Sequence, residues 1–124
     1  MHLITGGAYQ GKTEYAVEHF GIKSEDIFTC TEDGKIDFGK GCVRGIEQYV
    51  LACVRAGKDP GAVFESTRDW EDAVLICRDI SCGIVPLDPV LREWREAVGR
   101  LLAILSRQAE SVTRMFCGLP QKLK

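Results

Sequence analysis

The sequence holds no Cys-x-x-Cys pair, no apolar run of membrane-spanning length and no strong excess of either charge in its 124 residues. Its cysteines, at 30, 42, 53, 77, 82 and 117, sit mostly inside apolar segments, a spacing that argues against zinc and suits small buried hydrophobes in a reducing compartment. Cys77, Cys82 and Cys117 flank expected strand ends, where active sites form. Lys and Arg total 16 against 18 Asp and Glu, a formal net charge of -2, so no basic field holds nucleic acid by counterion release. The opening residues Met1-His2-Leu3-Ile4-Thr5-Gly6-Gly7 lack the basic start and long apolar stretch of a secretory signal, which makes the cytoplasm the expected compartment and a membrane span unexpected. Neither histidine, His2 or His19, is placed for nucleophilic work, and both read as solvated or capping side chains.

What is present fits one compact domain over residues 1–124, with no repeat, low-complexity tract or linker. A chain of this size buries roughly two thirds of its unfolded surface, enough for one sheet-and-helix core but not for a separate substrate lobe. A bulky substrate therefore belongs on the surface, in a cleft or between subunits.

Strand and helix patterns alternate. Residues 2–5 form an apolar strand that stops at a double glycine, and a helix follows from Lys12 to about Phe20, closed by Gly21. Residues 26–30 form a second strand. The three- and four-residue spacing of Val43, Ile46, Val50 and Cys53 predicts a helix from Cys42 to about Ala56, with Arg44, Glu47, Gln48 and Arg55 on its wet face. Asp59-Pro60 opens a short helix carrying Val63 and Phe64. Residues 73–77 are an unbroken apolar run of the kind found in the middle of a parallel sheet. Asp88-Pro89 is an N-cap followed by proline at the first helical position, and Leu91, Trp94, Val98, Leu101, Leu102 and Leu105 give that helix a broad apolar stripe. Arg92 and Glu96 have ion-pair spacing on it, and Arg100 lies beside the stripe. Residues 112–117 form a last strand. Such alternation implies an α/β fold with parallel pairing and right-handed crossovers.

The chemistry concentrates in Gly6-Gly7-Ala8-Tyr9-Gln10-Gly11-Lys12-Thr13, which fits Gly, four residues, Gly-Lys-Ser/Thr between an expected strand and an expected helix. Glycines let successive backbone N–H groups turn onto an anion, and the helix N-terminus adds the favourable end of its dipole. Lys12 is positioned for the terminal phosphates of ATP or GTP and Thr13 for Mg2+. A phosphotransfer site also needs a carboxylate at the end of a neighbouring strand to hold the metal. Asp79 is placed for that role, just past the apolar run, whereas Glu71 and Asp72 fall at the opposite edge.

These residues, with Asp79-Ile80-Ser81-Cys82-Gly83-Ile84-Val85-Pro86, Val98-Gly99-Arg100-Leu101, Cys117-Gly118-Leu119-Pro120 and Lys122-Leu123-Lys124, resemble the bifunctional adenosylcobinamide kinase/adenosylcobinamide-phosphate guanylyltransferase family of cobalamin biosynthesis. The resemblance implies a P-loop NTPase-like three-layer sandwich with a small, mostly parallel sheet. It also implies a cytoplasmic transferase phosphorylating the aminopropanol hydroxyl of the corrinoid, in a homo-oligomer, with a trimer the implied assembly. Lys12 and Asp79 become the catalytic pair, residues 6–13 the nucleotide loop, and Thr13 and Asp79 the magnesium ligands. The sequence departs from the family at Arg78-Asp79, where Asn-Glu is usual, at Ser81, where a glycine is usual, at Tyr9-Gln10, where Arg-Ser is favoured, and at Leu102. Relatives are about a third longer and carry a guanylylated histidine in their middle portion; no histidine lies between Gly21 and Ala73, so transfer of GMP is not expected. Two alternatives stand beside the kinase: a degenerate nucleotide-binding protein, and a P-loop hydrolase or kinase of another small molecule.

Overall fold

The computed structural model describes residues 1–80 and 86–124. Cys82 and most of the second motif, residues 81–85, lie outside the described residues. In chain order the elements are β1 (His2–Gly6), α1 (Lys12–Phe20), β2 (Ile27–Thr29), β3 (Cys42–Arg44), α2 (Ile46–Arg55), α3 (Pro60–Ser66), β4 (Val74–Arg78), α4 (Pro89–Gln108), β5 (Ser111–Phe116) and β6 (Leu119–Lys122). The sheet runs β2-β3-β4-β1-β5-β6. Its first five strands are mutually parallel and β6 returns antiparallel to β5.

Side-chain alternation along each strand divides the core between two faces. Leu3, Val43, Leu75, Cys77 and Val112 pack with α2, α3 and α4 around Ile46, Val50, Phe64, Val98, Leu101 and Leu105. Ile4, Cys42, Val74, Ile76 and Met115 face the other way, against Ala16 of α1. Helices on both sides of a mostly parallel sheet make a three-layer α/β sandwich of the P-loop NTPase-like class.

The helix ends follow the local chemistry. The Asp59 carboxylate accepts from the Gly61 N–H at 3.0 Å and the Asp88 carboxylate from the Val90 N–H at 2.8 Å, each with proline at the start of its helix. Lys124 donates to the carbonyls of Ser106 and Arg107 at 3.0 and 2.9 Å, satisfying acceptors in the last turn of α4. On that helix Glu96 pairs with Arg100 at 3.9 Å, the next i,i+4 partner along from the expected Arg92.

Two segments differ from expectation. Cys42 and Val43 belong to β3, and α2 starts only at Ile46; the apolar residues of a short strand happened to continue the helical period. Gly45 makes the break. It sits at φ 73, and a Cβ there would lie 2.9 Å from the Cys30 carbonyl oxygen, so the residue after β2 and the one before α2 approach to a distance only glycine permits. The strand after α4 does not end the sheet, because Cys117 (φ 52) and Gly118 (φ 75) turn the chain back into β6. Two successive positive φ values match the right-handed twist of a tight hairpin. Pro120 stands in β6 opposite Met115, a position open to proline on an edge strand.

These contacts separate two glycine substitutions. Gly41 has φ 85 but open space around its missing side chain, so Gly41→Ala should cost about 1 kcal/mol of left-handed strain alone. Gly45→Ala adds a clash with backbone and should cost about 2–4 kcal/mol. Urea denaturation of both variants checks the order.

Candidate functional site

The parallel register aligns strand ends. Thr29 pairs with Arg44, and Gly6 stands opposite Arg78 on one side and Met115 on the other, so β2, β3, β4 and β1 finish along one edge, the carboxyl edge where α/β folds bind ligands. A cleft of 380 Å³ opens there, lined by the loop from Ala8 to Glu14 and by Thr29, Cys30, Arg44, Gly45, Glu47, Gln48, Ile76 and Arg78.

The glycine loop is pinned at its base. Gly6 has φ 143, and a Cβ there would lie 2.5 Å from the Met115 carbonyl oxygen. Its own carbonyl accepts from the Asp79 N–H at 2.8 Å. Gly11 precedes α1 at φ 81 and provides no side-chain cap, so the first-turn N–H groups of that helix have no cap from its N-cap residue. Tyr9 takes φ 59 with its side chain fully exposed. Gln10 holds the loop to the β5–β6 turn, its side-chain oxygen accepting from the Cys117 N–H.

Lys12, half-buried, donates to the Gly7 carbonyl at 2.6 Å. Burial pushes its ammonium below the ordinary lysine range; the Glu47 carboxylate pulls it back up and the Arg78 guanidinium lowers it further. Glu47 is itself buried, 7% exposed. One of its oxygens, Oε1, accepts from the Arg78 N–H at 3.0 Å, and its backbone carbonyl accepts from the Trp94 indole N–H at 2.7 Å.

The structure thus gathers Ala8, Tyr9, Gln10, Gly11, Lys12 and Thr13 on the cleft, with Gly6 and Gly7 at its base. Asp79 is tied by its backbone to Gly6 but is not among the residues lining the cleft. Two carboxylates do line it, the exposed Glu14 on the loop side and the buried Glu47, assigned above to a wet helix face. The signal that would have found Glu47 was Gly45, an isolated glycine splitting the apolar period into strand and helix. The histidines stay outside the cleft. His2 bonds Ser111 at 2.6 Å at the opposite edge, and His19 stacks on Tyr15. Glu71 and Asp72 are exposed at that opposite edge.

The family model for cobinamide kinase / cobinamide phosphate guanyltransferase matches residues 56–123, more than half of the chain. The chain belongs to that family. Its matched stretch runs from the last residues before α3 through β6, so the glycine loop and Glu47 lie outside it. No curated protein matches the chain. The cobinamide kinase/guanyltransferase family consists of nucleotide-using transferases of cobalamin biosynthesis. Among the described residues no helix is long and apolar enough to cross a membrane.

The cysteines of this family member divide by exposure. Cys30, Cys42, Cys53 and Cys77 are buried and Cys117 is exposed. Burial raises the Cys30 thiol to about 12 and Cys42 to about 11, and pushes Cys77 well above the usual thiol range. A neutral-pH thiol reagent followed by peptide mapping should modify Cys117 and leave those four intact until the protein unfolds. Because the folded state holds protons that the unfolded thiols release near 9.0, stability should fall as pH rises from about 9 through 12. Urea midpoints across that range check the sign.

Proposed function

We propose that this chain is a magnesium-dependent kinase that transfers the terminal phosphate of ATP or GTP to a hydroxyl of adenosylcobinamide. The observation that carries the reading is the pinned glycine loop opening, with Lys12 and Thr13, onto a cleft at the carboxyl edge of the sheet in a member of this family. Loop N–H groups and the start of α1 cradle phosphate oxygens, and Lys12, already on the loop, swings from the Gly7 carbonyl to the terminal phosphates. Phosphoryl transfer needs positioning and charge neutralisation more than a covalent residue. Arg44 and Arg78 add two further cations to the cleft.

The donors fit magnesium. Thr13 and Asp79 offer hard oxygens, the donors that suit an ion held jointly by protein and substrate phosphates. When bound, the ion neutralises charge on the phosphate oxygens. Thr13 and Asp79 are its proposed ligands, with the Asp79 N–H to Gly6 holding that carboxylate's backbone at the foot of the loop.

Guanylyl transfer through a histidine is not part of the proposal, since neither His2 nor His19 lines the cleft. The reading also takes residues 1–124 as one nucleotide-binding domain, cytoplasmic and homo-oligomeric, with the bulky corrinoid seated at a subunit boundary in a trimer. The competing reading, a nucleotide-binding protein without turnover, draws on Asp79 standing off the cleft lining.

Turnover separates the two. Incubation with adenosylcobinamide, magnesium and either nucleotide should give the phosphate adduct by mass spectrometry. Tight nucleotide binding with no adduct would favour the competing reading, and phosphate release without corrinoid modification would point to another acceptor. Lys12→Ala should weaken nucleotide binding about 100-fold, roughly 3 kcal/mol, measured by titration with a fluorescent nucleotide.

A further inference from the structure

We infer that Glu47 is the catalytic carboxylate for the acceptor, taking the proton of the hydroxyl that receives the phosphoryl group; this rests on the kinase reading above. The cleft has two walls. The glycine loop and the start of α1 form one; Thr29, Cys30, Arg44, Gly45, Glu47 and Gln48 form the other. A terminal phosphate held on the first wall faces the second, so an acceptor attacking in line enters along the second. Glu47 is the carboxylate on that wall.

Its burial needs an explanation, because a carboxylate removed from water is costly unless its oxygens are matched. One match is the Arg78 N–H at 3.0 Å, a bond that a neutral amide oxygen would serve equally well. The negative charge itself is set in the first turn of α2, where the helix dipole favours it, beside the cleft cations Lys12, Arg44 and Arg78. The residue is also held firmly. Its carbonyl takes the Trp94 N–H from α4, and neighbouring Gly45 lies against Cys30 of the segment after β2. A catalytic base requires this fixed position within reach of the reacting proton.

The step balances within the cleft. The acceptor oxygen bonds to the γ-phosphorus as its proton passes to a Glu47 oxygen. The bond from phosphorus to the β–γ bridging oxygen breaks, that oxygen keeps the electron pair, and the nucleoside diphosphate leaves. Glu47 then returns the proton to solvent. Asp79 keeps its proposed metal role, so the two carboxylates divide the work.

The test compares wild type, Glu47→Gln, Glu47→Asp and Lys12→Ala in nucleotide titration and in phosphorylation of adenosylcobinamide. Glu47→Gln preserves an oxygen for the Arg78 N–H, so nucleotide affinity should stay within about threefold of wild type while kcat falls about 10²- to 10⁴-fold with KM for the corrinoid little changed. Glu47→Asp retains the carboxylate and should recover at least about tenfold over Glu47→Gln. Equal rates for the Asp and Gln variants, or a Gln variant within threefold of wild type, would overturn the assignment and leave the kinase reading standing. Loss of nucleotide binding in both Glu47 variants, as in Lys12→Ala, would make Glu47 a prop of the loop and likewise overturn it. Wild-type protein that binds nucleotide but phosphorylates no corrinoid would sink the kinase reading and this inference with it.

Discussion

The site depends on a steric constraint at Gly6. Strand β1 lies between β4 and β5, and at its last residue the chain passes so close to the Met115 carbonyl that no side chain fits. On the other side the Gly6 carbonyl takes the Asp79 N–H. The loop that follows therefore leaves the sheet from a fixed point, and Gln10 ties it to the β5–β6 turn. Lys12 meets Glu47 and Arg78 because the sheet fixes where the loop begins.

Electrostatics then sorts the groups gathered there. Three cations and one buried acid share the cleft, and the low-dielectric surroundings make each feel the others more strongly than in water. Lys12 illustrates the balance: burial and the guanidinium of Arg78 disfavour its charge and Glu47 favours it. Counting the exposed Glu14 as well, the lining carries three cations against two carboxylates, a net positive field that suits an anion entering from solvent.

Much of this was legible in the sequence, for local reasons. β1, α1, β4 and α4 announce themselves through apolar runs, glycine stops and the Asp-Pro caps, each a property of a few adjacent residues. The glycine loop was legible because its spacing is itself the chemistry. β3 was not, since Cys42 and Val43 continue the apolar period of α2, and the glycine at 45 that marks the break takes its meaning from its contact with Cys30. Glu47 was misread for the same reason: the end of β4 and Trp94 of α4 cover a helical position that looks solvent-facing in isolation. β6 escaped notice because all four of its residues are exposed, leaving no alternation to read.

The register of β1 also sets the order in which the site can be assembled. His2 pairs with Val74 and with Ser111, and Gly6 with Arg78 and Met115, so both neighbours of the first strand come from the second half of the chain. Non-local parallel pairs of this kind carry a loop-closure cost that is met before their contacts repay it. The glycine loop therefore takes its fixed shape only after β4 and β5, both later in the chain, have paired with β1. Until then the loop follows an unpaired strand, and the architecture that gives the protein its cleft is also what delays the cleft's appearance.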